Sequence, residues 1–164
     1  MSDIKIKVPL NTYKIKKKIK ELQDKYSGIS VEVGIVNGAT GVDARTGKVK
    51  DINIAEEAFY NCKGVPEKNI PPRDYQTQSI GLHSKKWSET TKKYLKKGMH
   101  GEDVLEAVGI IASEDTVRTI EEGNFERNKT STIKRKGKDS PLIDYGDLIR
   151  NITYKVINEN LKWI

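Results

Sequence analysis

The stretch ISVEVGIV, Ile29 to Val36, alternates its side chains along a run rich in β-branched residues, the pattern of a half-buried strand. What flanks it decides the fold class. Upstream, from Thr12 to Tyr26, the apolar positions Ile15, Ile19, Leu22 and Tyr26 are spaced four, three and four apart. That spacing predicts a helix with one apolar face, capped by Asn11 or Thr12 and stopped by Gly28. Further upstream, IKIKV, Ile4 to Val8, reads as a short arm or edge strand that Pro9 ends. The region 1–10 is thus read as an arm or edge strand of the same domain.

Downstream, NGATGVDARTGKVKD, residues 37–51, holds three glycines among turn formers and reads as an exposed hairpin or flexible loop. INIAEEAFYNCKG follows as a short helix with Ala55, Ala58 and Phe59 inward and Gly64 past its end. VPEKNIPPRDY then gives an extended, Pro-rich entry to a further helix, with Pro72 in the first turn, where a missing N–H costs nothing. From Ile80 to Lys97, at about 100° per residue, Ile80, Trp87, Thr91, Tyr94 and Leu95 share one arc. Lys85, Lys86, Lys92, Lys93, Lys96 and Lys97 fill a separate one. Gly98 and Gly101 break the chain before a helix over 102–122 whose apolar residues include Val104, Leu105, Val108, Ile111, Ala112, Val117 and Ile120. Glu102 and Asp103 suit its positive start. Residues 123–139 have no usable period and read as a long polar loop. The end is a turn, a short helix and a strand from Ile152 to Ile157. The order of elements predicts one α+β domain over 1–164: a small, mainly antiparallel sheet packed by amphipathic helices, with long polar loops at 37–51 and 123–139.

Composition narrows the function classes. With 35% hydrophobic and 32% charged residues in 164, the core must be lean. No apolar run approaches the roughly 18 residues of a membrane span, and the N-terminus lacks a secretory apolar core. The single cysteine, Cys62, leaves no internal disulfide and, at a helix end without an activating partner, reads as packed and inert. The net charge of +7 invites a nucleic-acid reading. Its carriers are the lysine arc, which is also the default solvated face of such a helix, and the loop bearing Arg127, Lys129, Lys134, Arg135, Lys136 and Lys138. Phe125 is the only aromatic near that loop, a thin basis for stacking bases.

A catalytic site is hard to assemble from these residues. His83 and His100 lack Cys, Asp or His neighbours at metal-ligand spacing. NGATG lacks the phosphate-cradling Gly-x-x-x-x-Gly-Lys-Ser/Thr pattern. Asp139, Asp144 and Asp147 form either a carboxylate cluster for a divalent cation or a set of turn and cap residues. The second reading places Asp144 as the cap of the helix that begins in YGDLI, with Asp147 favoured by the dipole in its first turn.

The order VEVGIV, IAEEAFYNCKG, IPPRDY, VRTIEEG, then Thr130 and Lys134, then PLIDYGDLIRNITYKV resembles the tail-completion, or virion-morphogenesis, proteins of tailed bacteriophages. These are neck-region relatives of head–tail joining and tail-terminator proteins. Ile70, Pro71 and Arg73, flanking Pro72, match a middle motif of the form Ile-Pro-x-Arg-Pro-Phe; Asp74 and Tyr75 stand where Pro-Phe is usual. Pro141, Leu142, Asp144, Gly146, Leu148 and Ile152 match the terminal motif, with Tyr145 in place of Thr and Asn151 in place of Ser. The resemblance implies a non-enzymatic structural protein of the virion neck, without cofactor or metal, assembled in the bacterial host cytoplasm. It implies a ring, with six copies suggested by the terminators, joining the tail tube to the head-connector proteins. Lys129, Lys134, Arg135, Lys136 and Lys138 would then face partners or the backbone of packaged DNA. The competing expectation is a small basic nucleic-acid-binding protein.

Overall fold

A computed structural model describes residues 16–18, 20, 21, 26–35, 40–42, 48–144 and 146–159. The arm at 4–8, the cap at Asn11 or Thr12, the apolar positions Ile15, Ile19 and Leu22, and Tyr145 lie outside the described residues. Helical backbone at 16–18, 20, 21 and 26 leads into β1 (Ile29–Gly34), followed by β2 (Thr40–Val42) and β3 (Val49–Asn53). Then come α1 (Ile54–Lys63), a 3-10 turn (Pro66–Lys68), α2 (Tyr75–Lys96) and α3 (Gly101–Glu122). The chain closes with α4 (Thr130–Lys136), α5 (Asp147–Arg150) and β4 (Thr153–Asn158). The architecture is α+β.

The alternation in β1 does what its period implies: Ile29, Val31 and Val33 turn inward while Ser30 and Glu32 are exposed. β1 pairs antiparallel with β4, Ile29 opposite Asn158 and Gly34 opposite Thr153, so the late strand returns beside the first. α3 packs on both strands. The approach is close because Gly109 has no side chain: a Cβ there would lie 2.5 Å from the Tyr154 ring. α2 runs back along α3 through the Lys97–His100 connection. β2 and β3 form a second antiparallel pair, so the 37–51 region includes part of a hairpin, one of the two forms its composition suggested.

The core gathers distant segments. Ala58 and Cys62 from α1, Tyr75 from α2, Ile120 from α3, and Leu148 and Ile152 from the end of the chain form one buried cluster. Ile35, Val117, Phe125, Leu142, Ile143 and Ile149 pack around it.

Four local expectations are corrected. α1 buries Ile54, Ala58 and Cys62, one residue every four, whereas Phe59 is 58% exposed and meets Tyr60 edge-on at 5.9 Å. Pro72 precedes the helix instead of opening it. Asp74 is the cap, its carboxylate accepting from the Thr77 N–H at 3.0 Å and the Thr77 hydroxyl at 2.9 Å, which satisfies a first-turn donor. Ile80 is exposed because the buried face of α2 is set by Tyr75 and Ser79, which lie elsewhere around the helix. Residues 123–139 contain α4, a helix with only Ile133 on its apolar side, too short and too charged to show a period.

Candidate functional site

The two segments that carry the resemblance meet. At the end of α1, Gly64 has φ 74°, and a Cβ on it would lie 2.8 Å from both the Ile70 carbonyl oxygen and the Pro72 nitrogen. Only glycine lets the Ile70–Pro72 backbone lie so near that helix end. Val65 and Ile70 exchange backbone hydrogen bonds of 2.9 and 3.0 Å, closing the turn between them. The Arg73 N–H donates to the Asn61 carbonyl at 2.8 Å.

The Arg73 side chain is buried and reaches across the molecule. Its Nε donates to the Glu126 carbonyl at 2.8 Å and an Nη to the Arg127 carbonyl at 3.1 Å. Burial lowers its basicity, with Glu126 and Asp139 opposing that shift. The guanidinium thus ties the entry to α2 to the chain leaving α3. Tyr75, fully buried, is the largest side chain of the core. Burial pushes its phenol well above the usual range. Cys62 beside it has its thiol pushed up by burial too, so it holds little thiolate.

The terminal segment docks on the same core. Leu142, at φ 65°, turns the chain and packs against the cluster with Ile143, while Leu148 is buried within it. Pro141 is half-buried. The cap of α5 is Gly146, with φ 82° and no side-chain cap bond. Asp144 is exposed and engages Arg135 at 3.1 Å instead, so its expected role as cap is corrected: the left-handed turn at Gly146 starts α5. Asp147 does sit in the first turn, where its carboxylate accepts from Arg150 at 2.6 Å. Asn151 donates to the Asp147 carbonyl at 2.8 Å.

The three carboxylates considered for a cation are each held by a different guanidinium: Asp139 by Arg127 at 2.6 Å, Asp144 by Arg135 and Asp147 by Arg150. Asp139 also accepts from the Asn128 N–H at 3.0 Å. The hydrogen bond from Arg127, followed by that from Asn128, holds its carboxyl below the usual range. Among the described residues no group of His, Cys, Asp or Glu is arranged to hold a metal ion.

The basic residues of 123–139 are largely engaged at home. Lys129 Nζ donates to the Lys68 carbonyl at 3.2 Å, Lys136 Nζ to the Ser140 carbonyl at 2.7 Å, and Arg135 pairs with Asp144. Burial lowers the Lys136 amine from its ordinary value, Asp144 partly opposing it. Lys134 and Lys138 point to solvent. Phe125 packs against the core, so its face is committed there.

The sequence reading missed a polar seam between α2 and α3. Asp115, with a side chain only 2% exposed, accepts from Lys86 Nζ through both oxygens at 2.8 Å and from Trp87 Nε1 at 2.9 Å. Burial works against this carboxylate, but the bonds from Lys86 and Trp87 prevail and hold its pKa below the usual value. Beside it, Thr116 spends its hydroxyl proton on the Ala112 carbonyl at 2.7 Å, so Ser79 is the donor in their 3.0 Å contact. His83 Nε2 lies 3.3 Å from the Thr119 hydroxyl oxygen. The signal was present: Val104, Val108 and Ala112 step by four, and the same face continues through Asp115, Thr116 and Thr119.

Comparison with family models, curated proteins and solved structures finds no match for this chain. Among the described residues, no helix is long and apolar enough to cross a membrane.

Proposed function

We propose that the chain is a structural protein of the neck of a tailed phage or phage-like particle, completing the tail and joining it to the head connector as a ring. The observation that carries the reading is the ordered series VGIV, IPPRDY and PLIDYGDL in the sequence, whose later two segments share one core through Tyr75, Leu142 and Leu148. Support also comes from what their residues do. Arg73 holds backbone, Tyr75 fills the interior, and the acidic residues of the terminal segment bind arginines. Such a scaffold acts through its surfaces, and heterologous contacts between identical subunits form rings when the rotation between them closes.

Virions produced without this chain test the reading. Filled heads and finished tails that remain unjoined, and that the purified protein joins on addition, are the expected result. Normal yields of joined particles contradict it. The nucleic-acid alternative keeps Lys134 and Lys138 as its exposed carriers on the 123–139 segment. It predicts duplex binding with a steep salt dependence that neutralising these two lysines reduces.

A further inference from the structure

Charge is separated between the two long helices. α2 carries Lys85, Lys86, Lys92, Lys93 and Lys96 against Glu89 alone. The surface of α3 carries Glu102, Asp103, Glu106, Glu114, Glu121 and Glu122 against Arg118 alone. Each helix presents one outward stripe at three- and four-residue steps. On α2 it runs Leu82, Lys85, Glu89, Lys92, Lys96, all exposed. On α3 it runs Glu106, Ile110, Glu114, Val117, Glu121, all exposed except half-buried Val117. Each stripe holds one large, exposed aliphatic side chain, Leu82 at 63% and Ile110 at 46%. None of the charged stripe residues is ion-paired to another described residue.

We propose that these stripes are the two halves of one self-contact: the basic face of α2 receives the acidic face of α3 from a second copy, the two helices running parallel. With Leu82 set against Ile110, Lys85 falls beside Glu114 and Lys92 beside Glu121. Each pair is within one residue's rise, about 1.5 Å, of level. Glu89, the one acid in the basic stripe, falls level with Val117 and meets no like charge. The antiparallel register brings Glu89 towards Asp103 and is disfavoured. Because α2 and α3 run antiparallel within one copy, the parallel pairing turns the second copy by about half a turn, so this contact is not the one that repeats around a six-fold ring. It goes beyond the ring reading and is independent of it; the pairing follows from the stripes.

The test uses the full chain in sedimentation velocity at 0.1 and 1 M salt, between which the screening length falls from about 10 to about 3 Å. The wild type is expected to associate with rising concentration at low salt, roughly tenfold more weakly at high salt. Reversing Lys85→Glu with Lys92→Glu turns two attractions into repulsions and weakens association about tenfold or more, with the circular dichroism unchanged. Adding Glu114→Lys and Glu121→Lys to that variant restores it. A wild type that is monomeric at every concentration and salt overturns the proposal. So does association indifferent to the reversal, or a loss that the four-residue swap leaves in place. Duplex DNA bound through Lys85 and Lys92 by a monomeric wild type overturns it as well.

Discussion

At the scale of single residues, Tyr75 shows how a departure from the resembled pattern is absorbed. The position is one where phenylalanine is usual in the proteins that the motif resembles, and the ring lies fully buried in the main cluster. Its hydroxyl makes no hydrogen bond of good length and angle among the described residues, although the Gln76 side chain lies close enough to favour the ionised form slightly. An unsatisfied buried hydroxyl costs about 1–3 kcal/mol, so Tyr75→Phe should leave stability unchanged or raise it by up to about 2 kcal/mol. Tyr75→Ala removes the ring as well and should cost about 3–5 kcal/mol. Urea unfolding midpoints check both; a Phe variant less stable than wild type would mean that the hydroxyl is bonded. The neighbouring Asp74, where proline is usual, caps α2 through Thr77. The sequence pointed to both residues as motif members, and their roles came only with the tertiary contacts. Asp144 illustrates the opposite case. Aspartate is a good cap by type, but the chain two residues later takes a left-handed turn at Gly146, and an arginine nine residues upstream takes the carboxylate.

At the scale of elements, the α2–α3 pair is held by a polar seam as well as by apolar contacts. Asp115 is ionised within it, and because its pKa is depressed in the folded state, the stability it contributes is present above the unfolded value of about 3.9. That contribution is lost as pH falls through the lower folded value. Asp115→Asn should therefore destabilise the protein at neutral pH and flatten the acid limb of its stability profile. Lys86 is half-exposed and can turn to water once unpaired, so the cost should be about 1–3 kcal/mol, below that of a fully buried pair. Thermal unfolding of both proteins from pH 7 to pH 3 measures it; parallel curves across that range would contradict the assignment.

The elements that periodicity could reveal were legible. β1, α3 and the closing helix and strand stand where the pattern put them, within a residue or two. Those missed had no period to read. α4 has one apolar residue, and the buried face of α1 repeats every four residues, which placed Phe59 on the wrong side. The seam escaped because its members are polar: a pattern of apolar residues does not mark Asp115, Thr116 and Thr119 as interior, and only the position of α2 supplies their partners.

At the scale of the whole molecule, the first and last strands of the described chain pair, and the segments between them return to one core. The small interior leaves much of the function to the exterior, where α2 is basic, α3 acidic and the 123–139 segment fastened down by Arg73 and Asp139. That division fits the proposed role as a subunit that acts through its surface. Negative-stain imaging of the full chain mixed with purified tail tubes tests this most directly. Rings of this protein, six copies each, seated at one end of the tube are predicted. A protein that leaves the tubes bare and stays monomeric beside them would contradict the account.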